Sequence, residues 1–278
     1  MSLKQLLSVS RPRFWIYLLG PYSIGYMANI QTDSLIWLAI LWGLFFTFPA
    51  NLFLYGVNDI CDWETDKLNP KKTGYELSVQ PEYRKQLIAI IVAFLMPALV
   101  LSFYSNSSLV IALTIFLLLG LFYSAPPIRA KTKPFLDALS NVLYVMPALV
   151  GYFLAGQATL NWYLLIAAGL WTSAMHAYSA IPDISPDSDA KISTIATFLG
   201  KNRTLVFCTL CYLSSALLAG SQIGTVAYIL GLIYLILMRV SFQQKTDEDL
   251  FRIYRYFPTI NTVSGFVLFI YVVIVQLS

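Results

Sequence analysis

A chain of 278 residues that is 58% hydrophobic and 12% charged, with a mean hydropathy of +0.69, is far more apolar than a soluble domain of that length, and it reads as an integral membrane protein. Its net charge of +4 comes with no basic stripe interleaved with aromatics, so nucleic acid is not among the expected partners. Three cysteines, Cys61, Cys208 and Cys211, are too few and too apolar in setting for a disulfide framework.

Nine segments approach the length that crosses a hydrocarbon core of about 30 Å. The first, 14 to 31, follows Arg11 and Arg13. It has no small-residue cleavage site behind it and reads as a first helix, not a removable signal. The two arginines suit membrane anchoring as well as phosphate contact. The second segment runs from 35 to 56. Asn51 and Asn58 are two helical turns apart, so their amides share a face that continues into Asp59, Asp62 and Asp66, with Tyr55 nearby. Polar groups at that depth are costly and usually face a bundle interior.

Residues 59 to 66 hold four acids and no base; Lys67, Lys71 and Lys72 arrive only afterwards. Together with 183 to 189, this stretch takes seven of the 14 acids in the chain. Each cluster has Asp at i, i+4 (Asp62 and Asp66, Asp183 and Asp187), which on a helix end points both carboxylates one way. Like charges so close repel unless a cation joins them. Mg2+ is the natural guest, because it takes one or two carboxylates, keeps several waters and completes its shell with phosphate oxygens. Two such sites facing one cavity can hold a diphosphate.

The third and fourth segments run from 86 to 104 and from 108 to 124. The fourth closes on Tyr123-Ser124-Ala125-Pro126-Pro127-Ile128-Arg129-Ala130-Lys131-Thr132-Lys133, where two prolines fix the backbone just as the cations emerge. Arg129 and Lys131 are well placed to neutralise a diphosphate and help it depart. The fifth and sixth segments run from 136 to 156 and from 160 to 181. They carry Asn141, Tyr144, His176 and Tyr178, which with Asn51, Tyr55 and Tyr123 are the candidates to line a cavity. Ring faces there can stabilise a carbocation by about 2 kcal/mol each once desolvated. Segments seven to nine run from 204 to 220, 224 to 242 and 258 to 277. Cys208 and Cys211 lie inside the seventh, and with one histidine in the chain they read as small-residue packing. Pro49, Pro97 and Pro147 fall inside spans as kinks.

Nine spans put all 18 lysines and arginines on one side, in the N-terminus and the stretches 57 to 85, 125 to 135, 182 to 203 and 239 to 257. The opposite side keeps one charged residue, Asp33. The positive-inside rule assigns the basic side to the cytoplasm, with the C-terminus outside the cell inner membrane. The acidic clusters follow the second and sixth spans, four helices apart and therefore on one face. The expected architecture is all-α: one domain over 1 to 278, two pseudo-repeated four-helix halves plus a ninth helix, around a central cavity with a cytoplasmic mouth.

Asn58-Asp59-x-x-Asp62-x-x-x-Asp66, the Tyr-Ser-x-Pro-Pro-x-Arg-x-Lys loop and Asp183-x-x-x-Asp187 with a trailing Leu199-Gly200 resemble the UbiA superfamily of intramembrane prenyltransferases. The resemblance implies that Asp59, Asp62, Asp66, Asp183 and Asp187 hold Mg2+ against an isoprenyl diphosphate, that Asn58 orients it, and that Arg129 and Lys131 clamp it. Where many members have Arg-Lys after the last Asp, this chain has Ser188-Asp189, and Lys191 compensates in part. Ser10 to Trp15, His176 to Asp183 and Asn69-Pro70-Lys71-Lys72 resemble the lycopene elongase branch, which attaches a C5 unit to a carotenoid. The expected acceptor is then lipophilic, entering from the membrane lipid. An aromatic acceptor of quinone biosynthesis is the alternative. A secondary transporter is the rival from another class, but it would carry its ionisable residues near the bilayer midplane. A CDP-alcohol phosphotransferase would begin its signature with Asp-Gly, a dipeptide absent here.

Overall fold

The computed structural model describes residues 1–31, 35–66, 80–156 and 159–278. Asp33, Lys67, Lys71 and Lys72, together with the stretch Asn69 to Lys72, lie outside them. A chain this apolar must satisfy its backbone polar groups internally, and helices do so within a single segment. No strand occurs among the described residues. In chain order the helices are α1 (Leu3–Val9), α2 (Ile16–Ala28), α3 (Ile36–Thr47), α4 (Pro49–Asp66), α5 (Arg84–Phe103), α6 (Ser107–Ser124), α7 (Leu136–Leu139), α8 (Met146–Ala155), α9 (Trp162–Ala180), α10 (Ile184–Asp189), α11 (Ile195–Ile223), α12 (Thr225–Phe242), α13 (Asp247–Tyr254) and α14 (Phe257–Leu277).

Among the described residues, eight helical stretches from Ile36–Trp63 to Asp247–Leu277 are long and apolar enough to cross a membrane, and they coincide with the second to ninth expected spans. The expected first span is α2, whose 13 residues extend about 20 Å, short of the full hydrocarbon thickness of about 30 Å.

Several segments differ from expectation for identifiable reasons, among them the stretch 239 to 257, where Thr246 caps the short helix α13. The second span breaks at Phe48, because Pro49 brings no N–H and starts a new helix. Asn51 fills the gap: its Nδ2 donates to the carbonyls of Phe46 (2.9 Å) and Thr47 (2.6 Å), capping α3 from within α4. The fifth span divides into α7, a 3-10 turn over Ser140–Tyr144, and α8, with Pro147 tolerated in the first turn of α8. The stretch 182 to 203, read as a loop from its polarity, is largely helical. Thr194 caps α11 by accepting from Thr197 N at 3.2 Å, so α11 begins nine residues before the expected 204, and it kinks at Gly200 with φ at +72°.

The chain divides into two compact units, Met1–Arg129 with Met146–Ala158 and Val272–Ser278, and Ala130–Val145 with Thr159–Tyr271. In the first unit α2 lies tightest against α8. A Cβ on Gly25 would collide with the backbone of Ala148, and one on Gly151 with the carbonyl of Tyr22. Such a seam lets two helix backbones approach in a solvent that gives no hydrophobic drive between them. Asn29 fastens the same pair, donating to Tyr152 O (2.9 Å) and Gly156 O (3.1 Å). Gly25→Ala should therefore destabilise the protein by about 1–3 kcal/mol, read as a lower thermal midpoint in detergent, because the added methyl meets backbone and not a movable side chain. An unchanged midpoint would show that the seam is not close-packed.

In the second unit α9, α11 and α12 share a buried core. Ser215 Oγ donates to Ala167 O (2.8 Å), and the fully buried Cys208 faces Ala174 O, so both cysteines of α11 serve packing. Tyr178 stacks edge-on to Phe257 (4.9 Å) and shares a hydrogen bond with Ser241 Oγ (2.8 Å).

Candidate active site

The first unit carries its chemistry on the last two turns of α4. The helix continues through Asn58, Asp59, Asp62 and Asp66, as expected, and Asp59 and Asp62 are 3% and 4% exposed. Two carboxylates that far from water are costly unless paired. Each has a guanidinium: Arg11 Nη2 lies 3.0 Å from Asp59 Oδ1, and Arg129 Nη2 lies 3.2 Å from Asp62 Oδ1. Arg11 also rests on the face of Tyr55, 4.7 Å from its centroid. Asn58 Nδ2 donates to the buried Ser124 Oγ at 3.0 Å, tying α4 to the end of α6 where the two-proline loop begins.

That loop turns through a cis Pro126–Pro127 bond and then a left-handed Arg129, φ +46°, whose N–H donates to Ala125 O at 3.0 Å. The other non-glycine residues with positive φ among those described are Arg11 (+50°), Phe135 (+67°) and Lys191 (+56°). Three of the four are cations. Left-handed backbone costs an L-residue about 1–2 kcal/mol and persists only where the surroundings impose it.

In the second unit Asp183 ends a 3-10 turn and Asp187 lies within α10, both half-buried, with Lys191 exposed just beyond. Lys131 is half-buried in the 3-10 turn Ala130–Thr132. Asn141 is buried, its Nδ2 donating to Asp137 O at 2.6 Å. Tyr123 and Tyr144 are half-buried at the end of α6 and in the turn before α8. Asn51 and Tyr178 both spend their polar groups on packing contacts. Among the described residues no three His, Cys, Asp or Glu side chains converge on one point. The side chain of Asp66 lies outside the described atoms.

Asp137 escaped the sequence reading. It is fully buried at the start of α7, its Oδ2 accepts from Ile195 N (2.8 Å) and lies 3.4 Å from His176 Nε2, and its Oδ1 has no partner. A lone acid inside an apolar span was the signal for it.

The sequence model of the UbiA prenyltransferase family matches residues 18–273. Over 94% of its length the chain is 40% identical to a protein of Haloarcula japonica named lycopene elongase/hydratase, of which it covers 88%. A protein of the same name from Halobacterium salinarum is 39% identical, with 95% of each chain covered. A solved UbiA homolog from Archaeoglobus fulgidus, bound to DMAPP and Mg2+, has the same fold with a TM-score of 0.76 and 21% identity, covering 95% of this chain and 99% of that one.

Proposed function

The chain belongs to the UbiA prenyltransferase family, and on that premise we propose that it transfers a dimethylallyl group from its diphosphate to a carotenoid such as lycopene, with Mg2+ as cofactor. Family membership makes it an integral membrane prenyltransferase and removes the transporter reading. The observation that carries the acceptor is the 40% identity, across nearly the whole chain, to a lycopene elongase/hydratase. The C5 donor is supported by the DMAPP of the structural neighbour. We assign the N-terminus and the acidic end of α4 to the cytoplasmic face of the inner membrane and the C-terminus to the outside, because one face of the nine-span reading takes all 18 basic residues.

The donor set fits a hard divalent ion. Mg2+ needs only one or two carboxylates, the rest of its shell coming from water and phosphate oxygens, so the buried Asp59 and Asp62 suffice without a three-acid cage. We propose them, with Asp66 in the first unit and Asp183 and Asp187 in the second, as its ligands. Bound there, Mg2+ would supply charge neutralisation of the diphosphate as it leaves.

The remaining work falls to the chain. Arg11 and Arg129 now neutralise Asp59 and Asp62; with those carboxylates on a metal, both guanidinium groups become available to the diphosphate. Lys131 and Lys191 add charge on the same anion, and Asn58, held by Ser124, orients it. Departure of diphosphate leaves an allylic cation, which the electron-rich end of the acceptor attacks.

Expression in a lycopene-producing host tests this directly. Pigments extended by one C5 unit, and then by a second, are the expected result. An unchanged pigment profile with active protein in the membrane would overturn the carotenoid acceptor and favour an aromatic one.

A further inference from the structure

The carboxylates assigned to the donor's diphosphate fix where the donor begins, and the helix that carries them fixes what its tail meets next. Asp59 and Asp62 lie near the end of α4, beyond its apolar stretch, so an isoprenyl tail attached to a diphosphate there leaves water by running inward along that helix. Tyr55 lies four residues before Asp59 and seven before Asp62, one and two turns inward on the same face, or about 6 and 10 Å deeper. Arg11 joins the two levels: its guanidinium reaches Asp59 Oδ1 at 3.0 Å and rests 4.7 Å from the centre of the Tyr55 ring.

Tyr55 is backed by further rings of the same unit. Phe14 lies 5.7 Å from Tyr55 between centroids, and Tyr17 lies 5.9 Å from Phe14, so an aromatic row starts one turn inward of Asp59. Phe14 and Tyr55 are both half-buried, and neither is free to swing aside. Tyr55 projects from the middle of α4. Phe14 closes the 3-10 turn Pro12–Phe14, its N–H donating to Arg11 O at 2.8 Å. The next residue is locked as well: Trp15 Nε1 donates to the carbonyl of the fully buried Ser10 at 3.1 Å, and its ring meets Phe48 edge-on at 6.2 Å. A wall of pinned rings resists a longer tail in a way that flexible aliphatic side chains do not.

We propose that Phe14 and Tyr55 set the length of the donor: the pair closes the apolar space beneath the diphosphate after one isoprene unit, admitting dimethylallyl and excluding geranyl. The inference deepens the donor reading of the preceding section and rests on it. Dimethylallyl diphosphate ends where the rings begin. Geranyl diphosphate carries a second C5 unit, which would have to displace a ring held by its neighbours, and the cost of that displacement falls on the tail alone. The two residues are specificity-determining, since they touch the end of the tail and not the bond that breaks.

The test uses the full-length protein in lipid vesicles with Mg2+, with and without lycopene, and compares kcat/KM for diphosphate release from dimethylallyl and from geranyl diphosphate. The head group is common to both donors, so the ratio of the two values reads the tail. The parent should favour the C5 donor by about 100-fold or more. Tyr55→Ala and Phe14→Ala should each shift that ratio toward the C10 donor by about tenfold or more. They open the same wall from two separate segments, so a variant that melts early leaves the other to decide. Tyr55→Phe keeps the ring without its hydroxyl and should keep the parental ratio. A parent that uses both donors equally would overturn the proposal. Folded alanine variants that slow with both donors alike, at an unchanged ratio, would also overturn it, because they would assign the rings to Arg11 or to the allylic cation. A parent that releases diphosphate from neither donor would overturn the donor assignment and the length stop with it, an outcome distinct from the other two.

Discussion

Asp62→Asn should lower prenyl transfer by about 10³-fold or more, and Asp183→Asn should do the same, each with the protein still folded. Asn keeps the volume of Asp and removes only the charge that would bind a divalent ion. Its effect on stability should be small, because the partner Arg129 is 38% exposed and can turn to water once Asp62 is neutral. Asp189→Asn, an exposed acid at the end of α10, is the matched control and should stay near parental activity. Labelled donor in membrane vesicles reads the transfer and a thermal melt reads the fold. Near-normal turnover by Asp62→Asn or Asp183→Asn would remove that residue from the metal site.

Arg129→Gly should separate function from folding in the opposite direction. At φ +46° an arginine strains its own backbone, whereas glycine adopts that conformation freely. The relief of about 1–2 kcal/mol offsets both the entropy glycine adds to the unfolded chain and the lost pairing with Asp62. The melting midpoint should therefore stay within a few degrees of the parent. Transfer should nonetheless fall by about 10²–10³-fold, since the cation proposed to meet the departing diphosphate is gone. Arg129→Lys should recover part of it, as a point charge without the fork geometry of guanidinium. A parental rate in Arg129→Gly would reduce the left-handed arginine to a loop feature.

Much of this was legible without a structure. The spans of α5 to α9, α11, α12 and α14 follow from apolar runs of crossing length, because a chain in lipid has little choice but to make helices; the short polar α13, inside the stretch 239 to 257, was not among them. The clustering of acids at 59 to 66 on a helix end follows from spacing alone. Local breaks were harder to see: Pro49 and Pro147 divide apparently continuous spans, and the polar stretch 182 to 203 turned helical because Thr194 supplies a cap where composition suggested a loop.

What the sequence determined by itself is class and inventory: a helical membrane protein, its acids, its cations, and the motifs that put it among intramembrane prenyltransferases. Those properties depend on residues near one another in the chain, where helical periodicity and hydropathy act. Tertiary structure decided the pairings. Arg11 meets Asp59 across 48 residues, Arg129 meets Asp62 across 67, and Asp137 reaches Ile195 across 58. Gly25 and Gly151 likewise became a seam only when two distant helices came together. Each such contact depends on where whole helices pack, so it has no local signal: the free energy that selects it is shared over every side chain in the interface.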